Sequence, residues 1–193
     1  MSDHKLTHRQ RDLLQEVGNI GSGHAVTSLS TLLRRRIDMR VPSVNLVTFD
    51  EMTDIVGGPE QLVVAMYFRI SGEAPGSVYL IFSIDEAEWF VSHLQDKETH
   101  LFVDGQPNGE AISILKEVGN IITGSYLTAL GDFTDLKLTP SIPYLSIDMA
   151  GAILTAGLVE ISKVCDEAIV IDTEFGLDQS NIQDISAHLF LLP

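Results

Sequence analysis

The chain repeats itself. Asp12–Ile20 (DLLQEVGNI) returns as Ser113–Ile121 (SILKEVGNI), 101 residues later, and Pro42 and Pro143 follow at that same offset. An internal duplication narrows the possible folds to two copies of one supersecondary plan sharing a core. The repeat preserves an acid, an amide and a proline as well as an apolar rhythm, so a duplicated surface site is the leading reading.

The rest of the composition narrows the function. Hydrophobic residues make up 45% of the 193 and charged residues 20%, enough to bury a substantial core. A formal net charge of −15 argues against nucleic acid and anionic membrane surfaces, which need clustered Lys and Arg. The basic run Arg34-Arg35-Arg36 falls at the end of the first periodic segment, where a helix C-terminus favours cations. Cys165 is the single cysteine, so no intrachain disulfide can form, and its apolar setting suggests a buried small hydrophobe. Met1–Arg11 is polar and unlike a signal peptide, and no apolar run approaches the ~20 residues of a membrane span. A cytoplasmic protein is expected.

The periodicity gives the plan. Thr7 with Gln10 reads as a capping box opening a helix to about Arg34. Val41–Phe49 reads as a strand, and Asp50 could cap a short helix through Ile55. Leu62–Ile70 and Ser77–Ile84 read as a hairpin, and Asp85 with Glu88 opens an amphipathic helix to about Leu94. Polar Lys97–Pro107 is the joint between halves. A second long helix then spans roughly Asn108–Leu130 and a strand roughly Leu136–Ser146. Ala150–Ser162 is ambiguous between helix and strand, and final strands fall at Ala168–Phe175 and Ile185–Leu192. The expectation is one α/β domain over residues 1–193, built from repeats at about 7–96 and 108–193. It is pseudo-two-fold, with two long helices on one face of a shared mixed β-sheet.

On a helix Asp12, Glu16 and Asn19 fall within ~60° of one another, roughly opposite the apolar set Leu14, Val17, Gly21 and Ala25. Ser113, Glu117 and Asn120 do the same in the second copy. Exposed Glu and Asn are usually only a solvated face. Here neither Glu has a Lys or Arg four residues on, and Asn is a poor choice in mid-helix. A functional site is therefore the better reading of the two Glu/Asn pairs. Asp12 and Ser113 serve either that site or the first turns of their helices. Gly23 and Gly124 extend the stripes one turn beyond each Asn, at ~1 kcal/mol relative to alanine, which suggests that something large comes close there. The bland reading of Gly18 and Gly119 is that they let the helices pack closely. Tyr126 replaces Ala25 and Ile122 replaces Gly21 in the second copy, which predicts a wider gap beneath that helix.

The six histidines have no metal-ligand spacing, and neither a phosphate loop nor a nucleophile triad can be read. An amide can orient a water and a carboxylate can hold a partner's lysine. Those two acts suit hydrolysis of a phosphoryl group carried, with its metal, by another protein.

The pattern Asp/Ser-x3-Glu-x2-Asn-x22-Pro resembles the signature of the CheC/CheX/FliY family, phosphatases of the chemotaxis response regulator CheY. The likeness covers nearly the whole chain, including EVGNIGSGH at Glu16–His24, EVGNIITGSYLTAL at Glu117–Leu130 and AHLFLLP at the end. Two intact sites and no room for a switch domain make it most similar to the CheC branch. The resemblance implies that Glu16 and Glu117 pair with a lysine of phosphorylated CheY while Asn19 and Asn120 align the attacking water. It gives Pro42 and Pro143 a structural role where the chain enters each strand. It implies no cofactor of the chain's own, since magnesium belongs to CheY, and a second partner, the receptor deamidase CheD, near Asp148–Gly151. A non-catalytic adaptor for CheD or CheY is the alternative.

Overall fold

The computed structural model describes residues 6–158, 166–177 and 185–193. Helix α1 spans His8–Leu33, behind the reciprocal Thr7/Gln10 capping box that its sequence announces. Strand β1 (Ile37–Thr48) and the short helix α2 (Phe49–Ile55) follow. The hairpin β2 (Leu62–Gly72) and β3 (Gly76–Ser83) leads to α3 (Ile84–Gln95), and a small hairpin, β4 (Phe102–Val103) with β5 (Gln106–Pro107), joins the halves. Then come α4 (Gly109–Thr134), β6 (Leu138–Pro140), β7 (Tyr144–Met149), α5 (Ala150–Leu158), β8 (Glu167–Leu177) and β9 (Ile185–Leu192).

The repeat is carried into three dimensions. His8 to Gly109 and Leu33 to Thr134 are both steps of 101 residues, so α1 and α4 match end to end. Both close on a left-handed residue, Arg34 and Asp135. The basic run thus begins at the cap of α1 rather than in its last turn, and Arg35 pairs with Asp96 at the end of α3.

Local chemistry moved several boundaries. Thr48, not Asp50, caps α2, and Ser83, not Asp85, caps α3, because each has a Glu three residues on that completes a capping box. The strand expected at Leu136–Ser146 is broken into β6 and β7 by Ser141-Ile142-Pro143. Pro143 has no N–H for the ladder and is itself buried. Pro42 lies inside β1, where the register against β8 slips between Arg40 and Ser43, a bulge that tolerates its missing donor. The ambiguous segment is helical from Ala150 to Leu158; its remainder, like Cys165, lies outside the described residues.

The fold class is α/β, as expected, but the sheet is antiparallel in every described pairing instead of mixed. Its order is β1-β8-β9-β3-β2, with β6 and β7 both against β2. The halves exchange strands: β1 pairs with the β8–β9 hairpin of the second repeat, and β7 with the β2–β3 hairpin of the first. The two hairpins meet at β9 and β3 in the middle of the sheet.

Helices cover both sheet faces. On one, α1, α3 and α4 pack over Val44, Met66, Leu80, Phe82, Ile171 and Leu189. On the other, Met52 of α2 with Ala150 and Leu154 of α5 cover Val63, Ala65, Ile81, Val170 and Phe190. Each large apolar side chain so buried contributes roughly 1.5–3 kcal/mol relative to exposure. That anchoring holds α1 and α4 rigidly from behind and leaves their outer faces free.

Candidate functional site

The outer faces of α1 and α4 carry the repeated motif. Glu16 and Asn19, and Glu117 and Asn120, are all exposed. Among the described residues none of these four side chains makes a hydrogen bond or ion pair; the Asn19 carbonyl accepts from Ser22 Oγ at 2.8 Å, but its amide is free. The side chains beneath them are buried: Val17 and Ala25 in α1, Leu115, Val118 and Ile122 in α4. Four solvent-facing polar side chains, without a partner among the described residues, therefore stand on two fixed platforms.

The platforms run antiparallel, since Gln10 and Leu14 near the start of α1 share a cavity with Leu130 and Thr134 at the end of α4. They touch at Gly21, where a Cβ would fall 2.7 Å from the Tyr126 ring and 3.0 Å from the Tyr126 Cα. The extra bulk of the second copy is thus taken up sideways, across the missing side chain of Gly21. The Tyr126 hydroxyl meets Thr173 Oγ1 at 2.8 Å, and burial pushes that phenol up to about 12, partly offset by this bond. The wider gap expected beneath α4 is absent at the motif. A Cβ on Gly119 would sit 2.4 Å from Met66 Sδ, so α4 lies directly on β2. Gly18 plays the same part against Val41, at 3.2 Å.

Gly23 and Gly124 differ in kind: nothing lies within 4 Å of a Cβ added at either. Among the described residues no contact calls for glycine there. Ser113 is occupied locally, its hydroxyl donating to the Gly109 carbonyl at 2.9 Å, whereas Asp12 is exposed among the described residues without a bond.

Two features of the faces carry no clear signal in the sequence. Gln15 donates through Nε2 to the carbonyls of Val41 and Pro42, at 3.2 and 3.3 Å, tying α1 to the β1 bulge one residue from Glu16. Pro42 is thereby linked to the site through its carbonyl. Leu13 and Ile20 are 39% and 41% exposed, whereas their counterparts Ile114 and Ile121 are half-buried. Both lie at the margin of the stripe, about 60° or less from Glu16 around the helix. The first face thus has an open apolar shoulder that the second lacks.

Asp148 lies elsewhere, at the end of β7 on the opposite side of the sheet. Its Oδ1 accepts from the Met149 N–H at 2.8 Å, and it borders a cavity of about 490 Å³ with Tyr67, Tyr79 and Tyr144. Tyr144 and Met149 are 72% and 52% exposed beside it. No helix among the described residues is long and apolar enough to cross a membrane.

This arrangement has relatives. The pattern of the CheC-like family matches residues 10–46 and 110–147, the two stretches that run from motif helix to proline. The chain is 43% identical over 188 residues to the CheY-P phosphatase CheC of Bacillus subtilis, covering 97% of this chain and 90% of that protein. Among solved structures it resembles FliY of Thermotoga maritima, with a TM-score of 0.75 at 18% identity over 97% of this chain and 91% of the other. It also resembles a chain of the CheX–CheY–BeF3–magnesium complex of Borrelia burgdorferi. That TM-score is 0.52 at 18% identity, over 90% of this chain and 96% of that one.

Proposed function

The chain belongs to the CheC-like family, and from that membership we infer that it is a chemotaxis phosphatase hydrolysing the aspartyl phosphate of the response regulator CheY. The observation that carries this is 43% identity to a CheY-P phosphatase over nearly the full length of both chains. The exposed, unbonded Glu/Asn pairs supply residues suited to that chemistry.

In this reading the chain supplies position, not a covalent intermediate. Glu16 or Glu117 receives a lysine ammonium of phosphorylated CheY and fixes the docking register. Asn19 or Asn120 reaches the phosphoryl group and holds a water by donating through its NH2 and accepting through its carbonyl oxygen. The water oxygen attacks phosphorus in line. The bond from phosphorus to the aspartyl oxygen breaks, and CheY leaves with a free carboxylate beside inorganic phosphate. The magnesium of this reaction is the substrate's, and the chain's residues need hold no metal of their own. Rigid helices suit the task, because a displacement of ~1 Å can reduce a positioning-dependent rate ~100-fold. Gly23 and Gly124 admit the partner's backbone next to each amide. With a net charge of −15 the chain steers an acidic receiver poorly, so local fit decides recognition.

The receptor deamidase CheD is proposed as a second partner, at the β7–α5 surface around Asp148. The exposed Tyr144, which shares the Asp148 face of β7, supports an interface there, on the side of the sheet away from both motif faces. A cytoplasmic location is proposed with this reading, and action on CheY supports it.

The test is phosphate release from phosphorylated CheY and magnesium, with and without the chain. Faster release that disappears in the Asn19→Ala/Asn120→Ala protein is expected. Binding of CheY or CheD without any acceleration would favour the adaptor alternative.

A further inference from the structure

The two motif helices rest on the sheet in different ways. Beneath α1 the ladder keeps Arg40 opposite Glu174 and Ser43 opposite Asp172, so Val41 and Pro42 together face Thr173 and drop out of the pairing. Gln15 takes up both of their carbonyls, donating through Nε2 at 3.2 and 3.3 Å. Gly18, three residues on, lets α1 close on the buried Val41 side chain. Thr173 is fixed in turn, its Oγ1 meeting the Tyr126 hydroxyl at 2.8 Å. The bulge is thus a firm mount for the first helix. The equivalent stretch of the second repeat is built otherwise. Ile142, the counterpart of Val41, is 88% exposed, and its carbonyl accepts from Ser141 Oγ at 3.0 Å. Ser141 is tied to β2, donating through its N–H to the Arg69 carbonyl at 2.8 Å and accepting at Oγ from the Arg69 N–H at 3.0 Å. Lys116 stands where α1 has Gln15, half-buried and without a hydrogen bond or ion pair among the described residues, and α4 rests through Gly119 on Met66 instead.

We propose that Gln15 is a positioning residue of the first site: its two bonds to the bulge set the rotation of α1 and thereby the place of the Asn19 amide, while the second site is held without it. This rests on the phosphatase reading above. Gln15 and Asn19 stand four residues apart, about 40° round the helix, so the bonded side chain anchors the flank that carries the amide. A primary amide suits the role, because its NH2 has two donors for two carbonyls. Losing them frees α1 to turn on the smooth contact between Gly18 and Val41. The contact of Glu16 with a partner's lysine tolerates such a turn, since an ammonium on a flexible stem follows the carboxylate. In-line alignment of a water does not tolerate it. Gln15 therefore bears on turnover at the first site more than on affinity.

The test uses full chains with one working site: Asn120→Ala leaves the first and Asn19→Ala the second. Gln15→Glu keeps the size of the side chain and removes its donors; Gln15→Met removes them without adding a charge. In the Asn120→Ala chain either change should lower kcat for phosphate release from phosphorylated CheY ~10-fold with KM within ~2-fold, since a ~1 Å misplacement costs ~100-fold and a loosened tie moves the amide by a fraction of that. In the Asn19→Ala chain the same changes should alter turnover less than ~2-fold. Gln15→Lys restores a donor to the carbonyls and should recover most of the first-site rate. Residual dipolar couplings of the backbone N–H groups at residues 12–20 and 113–121 report the orientation of each helix independently of catalysis; only the first set should depart from wild type in Gln15→Glu and Gln15→Met. Equal losses in the two one-site chains would mean general destabilisation and overturn the proposal. So would a raised KM at unchanged kcat, a Gln15→Lys chain as slow as Gln15→Glu, or couplings at residues 12–20 that stay as in wild type. Absence of phosphate release from the unmodified chain would count against the phosphatase reading instead, and the couplings would still decide whether Gln15 sets α1.

Discussion

Replacing Gly23 and Gly124 by alanine should stabilise the protein and impair its activity. Both glycines lie in the interior of helices, α1 and α4, and nothing lies within 4 Å of a Cβ added at either. Alanine therefore gains helix propensity, ~0.8–1 kcal/mol per site, without a clash to offset it. The pair should contribute about 2 kcal/mol, which for a chain of this size raises Tm by roughly 4–8 °C. In the complex the two methyls project from the same faces as Asn19 and Asn120, one turn away. If the partner backbone closes on these glycines, each methyl lifts it by about 1 Å, enough to lower turnover ~100-fold. A matched control is Gly119→Ala, where the new methyl would meet Met66 Sδ at 2.4 Å. Overpacking there costs about 1–3 kcal/mol and outweighs the propensity gain. Thermal melts and phosphate release from phosphorylated CheY read the two effects separately. A Gly23→Ala/Gly124→Ala protein with a raised Tm and unchanged turnover would refute the idea that anything closes on these positions. A lowered Tm would show that the faces are not open.

Further expectations concern the motif and the sheet. Single Asn19→Ala and Asn120→Ala proteins should lose different fractions of activity, because Leu13 and Ile20 shoulder only the first site, and their residual rates should sum to about the wild-type rate; complete loss from one change would mean coupled sites or one dead site. Glu16→Lys with Glu117→Lys should weaken affinity for phosphorylated CheY by opposing its lysine, and unchanged affinity by titration would remove the ion pair from the mechanism. Asp172, on β8, titrates with folding: burial raises its pKa, but hydrogen bonds from His188 and Ser43 and the His188 charge outweigh this and leave it lowered. A lowered folded pKa means stability present above the unfolded value of 3.8 and lost as pH falls below it. Urea melts from pH 5 downward should therefore show a shallower acid loss in Asp172→Asn than in wild type, and parallel curves would contradict the linkage.

Much of this molecule was legible because its signals are local. Thr7/Gln10 announced the start of α1, and the helical arithmetic placed Glu16, Asn19, Glu117 and Asn120 on exposed faces, where they are found. Ser83 as the cap of α3 is less legible, because Asp85/Glu88 offers a similar signal two residues on and only the backbone geometry separates the two. The exposure of Leu13 and Ile20 is not legible in the sequence, because periodicity sums over a stripe and blurs its margin.

The sequence by itself determined the duplication, the α/β class and the side of each long helix that meets solvent, since each is written in the spacing of neighbouring residues. Tertiary structure decided what those elements meet. Only in the fold does β1 join the other repeat's hairpin, because strand pairing is non-local and the same alternating pattern fits several partners. Only there does Tyr126 spend its bulk against Gly21 and bond Thr173, leaving α4 close on the sheet.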